Sequence, residues 1–236
     1  MSYNPYRGKP ITKQRVKDSV KMAIPIGIYA VIYLTCFIYL ENTNAVHYTT
    51  IHMAIDDKIP FLEIFVIPYL SWFFYVSGAV LLFIFLYEKE DYYKELSFMI
   101  AGMSIFLIVS ALWPNIQYLR PTVMPRDNIF THMVAYIYRT DTPTNVCPSI
   151  HVYNSIGAAI ALCGSARVPK KGKIASVIMS SLIVLSVLFI KQHSMFDVLT
   201  ATAMSAVAYV VIYRTDIVVN AIKKHNPEES EENIVA

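Results

Sequence analysis

Charge and cysteine are both scarce in this chain. Asp, Glu, Lys and Arg make up 16% of its 236 residues, against 56% hydrophobic residues, a balance far from that of a soluble domain. Three cysteines supply no disulfide framework. Cys36 and Cys163 fall inside apolar runs and read as small core residues, and Cys147 stands alone beside a Pro-Ser-Ile-His motif. A net charge of +3 without a basic, aromatic-laced module argues against a nucleic-acid partner. No internal repeat and no second domain stand out. The longest polar connection, 114–146, contains no glycine, so it is not built as a flexible linker.

What is present is a set of six runs free of Asp, Glu, Lys and Arg: 22–40, 64–87, 96–113, 152–166, 174–190 and 198–213. A bilayer core about 30 Å thick takes about 20 helical residues; three runs reach or approach this alone, and three need their flanks. The first three runs show no polar face wide enough for water, against a soluble bundle. The first run is longer than a signal-peptide core and lacks a strong cleavage signal, so it reads as a retained helix. The expectation is an all-α integral membrane protein with six transmembrane helices in one bundle. A basic arm (1–21) would precede a membrane domain (22–213) and a tail (214–236) whose acidic end, 226–236, reads as disordered. The arm is either attracted along the inner leaflet or simply solvated.

Basic residues orient this bundle. The N-terminal arm, the segment between the second and third runs, the segment between the fourth and fifth, and the tail together hold 15 of the 20 lysines and arginines. By the positive-inside rule these segments and both termini are cytoplasmic. Segments 41–60, 114–146 and 191–194 then lie outside. Pro25 and Pro68 near helix starts are candidate kinks, Pro114 a stop for the third helix, and 130–138 a short helix lying on the membrane.

The chemistry-bearing residues gather at the outer ends of the fourth and sixth runs. His193 and Asp197 are four apart, one turn on a helix, with Asp197 leaning back towards His193. A carboxylate there can fix one imidazole nitrogen and free the other for attack; a purely structural His–Asp pair fits the same spacing. Pro148 suits a first helical position. Ser149, Ile150 and His151 would then occupy a first turn whose free amides favour an anion. Ser149 can donate a hydroxyl proton or cap the helix, and His151 can protonate a leaving oxygen or rest against solvent. Arg120, Arg126 and Lys191 flank these starts and could neutralise phosphate oxygens. A headgroup contact for Arg126 or Arg139, and a snorkelling role for Lys191, are the alternatives. His47, His52 and Asp56 could make a loop metal site but read better as a solvated loop. His132 covers the site or faces water.

Arg120-Pro121, then Pro148-Ser149-Ile150-His151, then His193 with Asp197 resemble, in order and in the right loops, the type 2 phosphatidic acid phosphatase superfamily. The family pattern is Lys, six residues, Arg-Pro; Pro-Ser-any-His; and Ser-Arg, five residues, His, three residues, Asp. The resemblance implies a metal-independent, cofactor-free membrane enzyme with an extracytoplasmic site. His193 would form a phosphohistidine with Asp197 holding its ring. His151 would serve as acid and then base, and Arg120, Ser149 and another cation would grip the phosphate. Substrates it implies are phosphatidic acid, polyprenyl diphosphate and phosphatidylglycerol phosphate.

Two positions depart from that pattern. Trp113 stands at the lysine of the first motif and Val187 at the arginine of the third, although Ser186 is kept. Lys191, four residues beyond Val187, would share its helical face if the helix runs on, and Arg126 could cover the missing lysine. Lys191-Gln192-His193 is similar to the branch that includes inositol phosphorylceramide synthases, which implies transfer of a phosphoryl headgroup to a lipid hydroxyl as the alternative to hydrolysis. A lipid transporter or catalytically silent scaffold is the rival from another class. Oligomeric state is not legible.

Overall fold

The computed structural model describes residues 13–43, 45, 47–86 and 89–225. Among these the body is helical: α1 (Lys13–Asn42), α2 (Val66–Leu86), α3 (Lys89–Leu112), α4 (Ile129–Thr140), α5 (Ile150–Gly164), α6 (Lys170–Phe189), α7 (Met195–Tyr213) and α8 (Ile217–His225). The one sheet is a parallel pair of two-residue strands, β1 (Thr49–Thr50) and β2 (Asn115–Ile116), which ties the first loop to the third. Five helical stretches are long and apolar enough to cross a membrane: Ser19–Asn42, Glu63–Phe85, Glu90–Leu112, Lys170–Phe189 and Met195–Tyr213. Their outward faces carry exposed apolar side chains such as Phe74, Leu112 and Val207, as lipid contact requires.

α5 is the exception in length. Its 15 residues span about 22 Å at 1.5 Å per residue, short of the hydrocarbon thickness. It is also the packing centre, touching α2, α3, α6 and α7. The approach of α5 to α3 depends on two glycines. A Cβ at Gly102 would lie 1.9 Å from the Tyr153 ring, and one at Gly157 would lie 2.6 Å from Phe98. With both absent, the Tyr153 and Phe98 rings stack 4.5 Å apart, and the Tyr153 hydroxyl donates to the Phe98 carbonyl at 2.9 Å.

Several boundaries differ from the sequence expectation. Residues 13–21 are not a separate arm but the first turns of α1, pinned where Ser19 Oγ donates to the Ile84 carbonyl (3.0 Å) and Tyr92 to that of Met22 (2.6 Å); 1–12 lie outside the described residues. Pro25 sits within α1, and Pro68 in the first turn of α2, where its missing N–H costs nothing. The start of the tail folds as α8, packed on α3 with Val218 buried; 226–236 lie outside the described residues. α3 stops at Leu112, just before Pro114. The helix expected at 130–138 is α4, started by an Asn128–Thr131 capping box and packed through Val134 and Ile137 across the start of α2.

Candidate active site

The turn from α6 into α7 sets the position of His193. α6 closes with Lys191 in the left-handed region (φ 56°), its N–H on the Leu188 carbonyl (3.1 Å) and the Gln192 N–H on that of Val187 (2.9 Å). This is a Schellman stop, usually made by glycine. Lys191 therefore lies outside the helix, and the shared helical face with Val187 does not exist. The next residues start α7. Ser194 is the N-cap and Asp197 the third helical residue of a reciprocal capping box. Asp197 Oδ2 accepts from the Ser194 N–H (2.9 Å) and lies 3.3 Å from His193 Nδ1. The pair meets because the cap folds His193 back over the first turn, not because both sit on one helix. Asp197 Oδ1 is buried with no partner.

α5 starts beside it. Ser149 is its N-cap, its hydroxyl accepting from the Val152 N–H at 3.4 Å, and its own N–H reaches the Asp197 carbonyl at 3.4 Å. Pro148 thus precedes the cap instead of opening the helix. His151, in the first turn, stacks among Tyr69 (4.8 Å between centroids), Trp72 (4.6 Å) and His193 (5.6 Å). Its Nδ1 is buried and unpartnered. Two imidazoles and a carboxylate from separate segments are therefore in one cluster. Cys147 is beside it but inert: burial pushes its thiol up to about 12, so the thiolate is absent at neutral pH.

The expected phosphate cations are placed differently. Arg120 comes to the cluster, but four of its five N–H groups are engaged. Nη1 donates to the carbonyls of Asp141 (2.8 Å) and Tyr138 (3.3 Å), and Nη2 to Thr142 (3.2 Å) and the Gln192 side chain (2.5 Å). Its Nε is buried and unpartnered. Lys191 Nζ turns to the first loop, donating to the carbonyls of Asp56 (2.8 Å) and Ile59 (2.5 Å). Burial lowers its pKa, opposed by Asp56 and Asp57. Arg126 forms a two-pronged pair with Glu63, Nε to Oε1 at 2.6 Å and Nη2 to Oε2, with Asn128 also on that carboxylate. It is not free to replace a missing lysine while that pair holds. His132 pairs with Asp127 in the open.

Several site neighbours went unread in the sequence. Asp141 faces Arg120 and His193, and the Tyr69 hydroxyl meets both Asp141 and Gln192. Burial pushes the Asp141 carboxyl above the usual range, while Arg120, then His193, pull it down. Gln117 Nε2 pins the α6–α7 turn through the Lys191 carbonyl at 3.1 Å, and Asn115 Oδ1 holds the Val146 and Cys147 amides. His52 pairs with Asp57 (2.8 Å), whereas Asp56 turns inward onto α7. The readable signal was the run of polar residues in loops without glycine. Among the described residues, no three His, Cys, Asp or Glu side chains are grouped to hold a metal ion.

No family model, no curated protein and no solved structure matches the chain.

Proposed function

We propose that this protein is a six-span membrane phosphatase, with α5 as the short sixth span and both termini in the cytoplasm, that hydrolyses a lipid phosphate or diphosphate at the outer leaflet. The observation that carries the reading is the His193 Nδ1–Asp197 pair facing the His151 ring 5.6 Å away. With its Nδ1 proton held by Asp197, His193 presents Nε2 as a nucleophile. Nε2 attacks phosphorus and the bond from phosphorus to the lipid oxygen breaks. His151, protonated once the anionic phosphate is bound beside it, gives its proton to that oxygen. In the second step neutral His151 takes a proton from water, the water oxygen attacks phosphorus, and the N–P bond breaks to release phosphate. Asp197 stabilises the charge on the phosphorylated ring. Arg120 Nε and the start of α5 are the groups best disposed to hold the phosphoryl oxygens.

The engaged cations favour one further reading. Arg126 is neutralised by Glu63 and Lys191 is turned onto carbonyls, so a substrate carrying less negative charge suits the site. A phosphotransferase moving a phosphoryl headgroup to a lipid hydroxyl meets that condition with the same histidine chemistry.

Phosphate release by the purified protein, over a panel of lipid phosphates and diphosphates with chelator present, tests the proposal. Release that survives chelation and disappears in His193→Ala supports hydrolysis. Absence of release from folded protein across the panel rejects it, and product formation only with an added lipid alcohol assigns transfer.

A further inference from the structure

We infer that Asp56, in the first outer loop, is a positioning residue for His193 that acts through the cap of α7. Its catalytic consequence rests on the reading of His193 as nucleophile. Asp56 is 1% exposed, and its carboxylate is wholly directed at the start of α7 and at its own turn. Oδ1 accepts from the Met195 N–H at 2.7 Å. Oδ2 accepts from the Ser194 hydroxyl at 2.5 Å and the Met53 N–H at 2.8 Å. Its backbone carbonyl receives Lys191 Nζ at 2.8 Å. Thus one loop residue holds both sides of the turn that contains His193.

The contact has a directional effect. A serine hydroxyl has one proton, and Asp56 takes it. The lone pairs of Ser194 Oγ are then turned towards the helix, where they accept from Phe196 N–H (3.1 Å) and complete the capping box with Asp197. In return Asp197 Oδ2 accepts from Ser194 N–H, and this is the oxygen that meets His193 Nδ1. A relay therefore runs Asp56–Ser194–Asp197–His193, from a residue 138 positions away in sequence. The capping box alone would start the helix. What Asp56 adds is a fixed hydroxyl direction and an acceptor for Met195, so that Asp197 keeps one orientation. It also fills the N-terminal end of α7 with negative charge, which leaves the start of α5 as the helix end open to a substrate anion.

Asp56→Asn breaks this relay with almost no change in volume. The amide can accept from Met195, or from Ser194 and Met53, but not from both sets. The readout independent of any substrate is the ring-nitrogen NMR signal of His193 in the full-length, 15N-histidine-labelled protein, assigned by its loss in His193→Ala. The expected wild-type signal is the Nδ1–H tautomer. Asp56→Asn should give a mixture of tautomers, with kcat lowered at least tenfold and KM within twofold. Ser194→Ala cuts the same relay from the other side and should give the same mixture, so a fold defect in one variant does not decide the matter. The double variant should be no slower than the slower single variant. A pure Nδ1–H tautomer in either folded variant, or rate losses that multiply in the double variant, overturns the inference. A tautomer shift in a protein that releases no phosphate would retain the positioning role and reject the phosphatase reading.

Discussion

The starts of α5 and α7 leave polar atoms open, whereas the loops around them bind up their cations. His151 Nδ1 and Asp197 Oδ1 are buried without partners. At the same end of the bundle, Arg126 is paired with Glu63 and Lys191 with two loop carbonyls. Buried unpartnered groups cost stability, and such groups are retained where chemistry needs them. On the proposed reading, the histidines are the reactive part of this cluster. Lys191 and Arg126 fasten loops over it, and Arg120 does both.

Substituting at the two kinds of position should separate them. The largest effect is expected from His193→Ala, a loss of roughly 10³-fold or more in kcat, as for other removed nucleophiles, with the melting temperature little changed. Asp197→Asn should follow with about 10²–10⁴-fold, because the wrong tautomer of His193 is then favoured; the rate, set against retained helix content, checks this. Lys191→Met leaves the Asp56 and Ile59 carbonyls without their donor. It should cost about 1–3 kcal/mol in stability, read by thermal unfolding, with activity falling as the turn loosens. Arg126→Ala strands a buried Glu63 and should lower the melting temperature while leaving kcat/KM within about threefold, since the half-exposed Arg126 is engaged by Glu63.

The smallest effect concerns pH. Burial raises the pKa of the Asp141 carboxyl above its ordinary value of 3.8. A raised carboxyl is best tolerated in its protonated form. Its contribution to stability is full below that value and is lost as pH climbs through the raised one. Asp141→Asn should therefore flatten the stability–pH curve on the alkaline side of 3.8, measured by thermal melts in a pH series. A variant curve parallel to the wild type would show that Arg120 cancels the burial effect.

Much of the fold was legible because lipid-facing helices announce themselves by runs without charge, and α4 by a polar start and an amphipathic body. The site was legible only as far as local spacing reaches. His193 and Asp197 meet through a capping box that Ser194 and Asp197 encode within four residues. Spacing could not show that α6 stops at a left-handed Lys191, because glycine, the usual signal, is absent there. Nor could it show the Glu63–Arg126 and Asp56–Ser194 contacts, whose partners are 63 and 138 residues apart. Such pairs are decided by how the loops fold across one another. The helical start of α1 was hidden for another reason: charged residues interrupt the apolar run but do not interrupt a helix.

The most direct measurement is mass spectrometry of protein quenched at alkaline pH during turnover of a lipid phosphate. The expected result is an acid-labile phosphoryl group on His193 that is absent from His193→Ala. A turning-over enzyme with no phosphorylated His193, or with the phosphoryl group on another residue, would contradict the account.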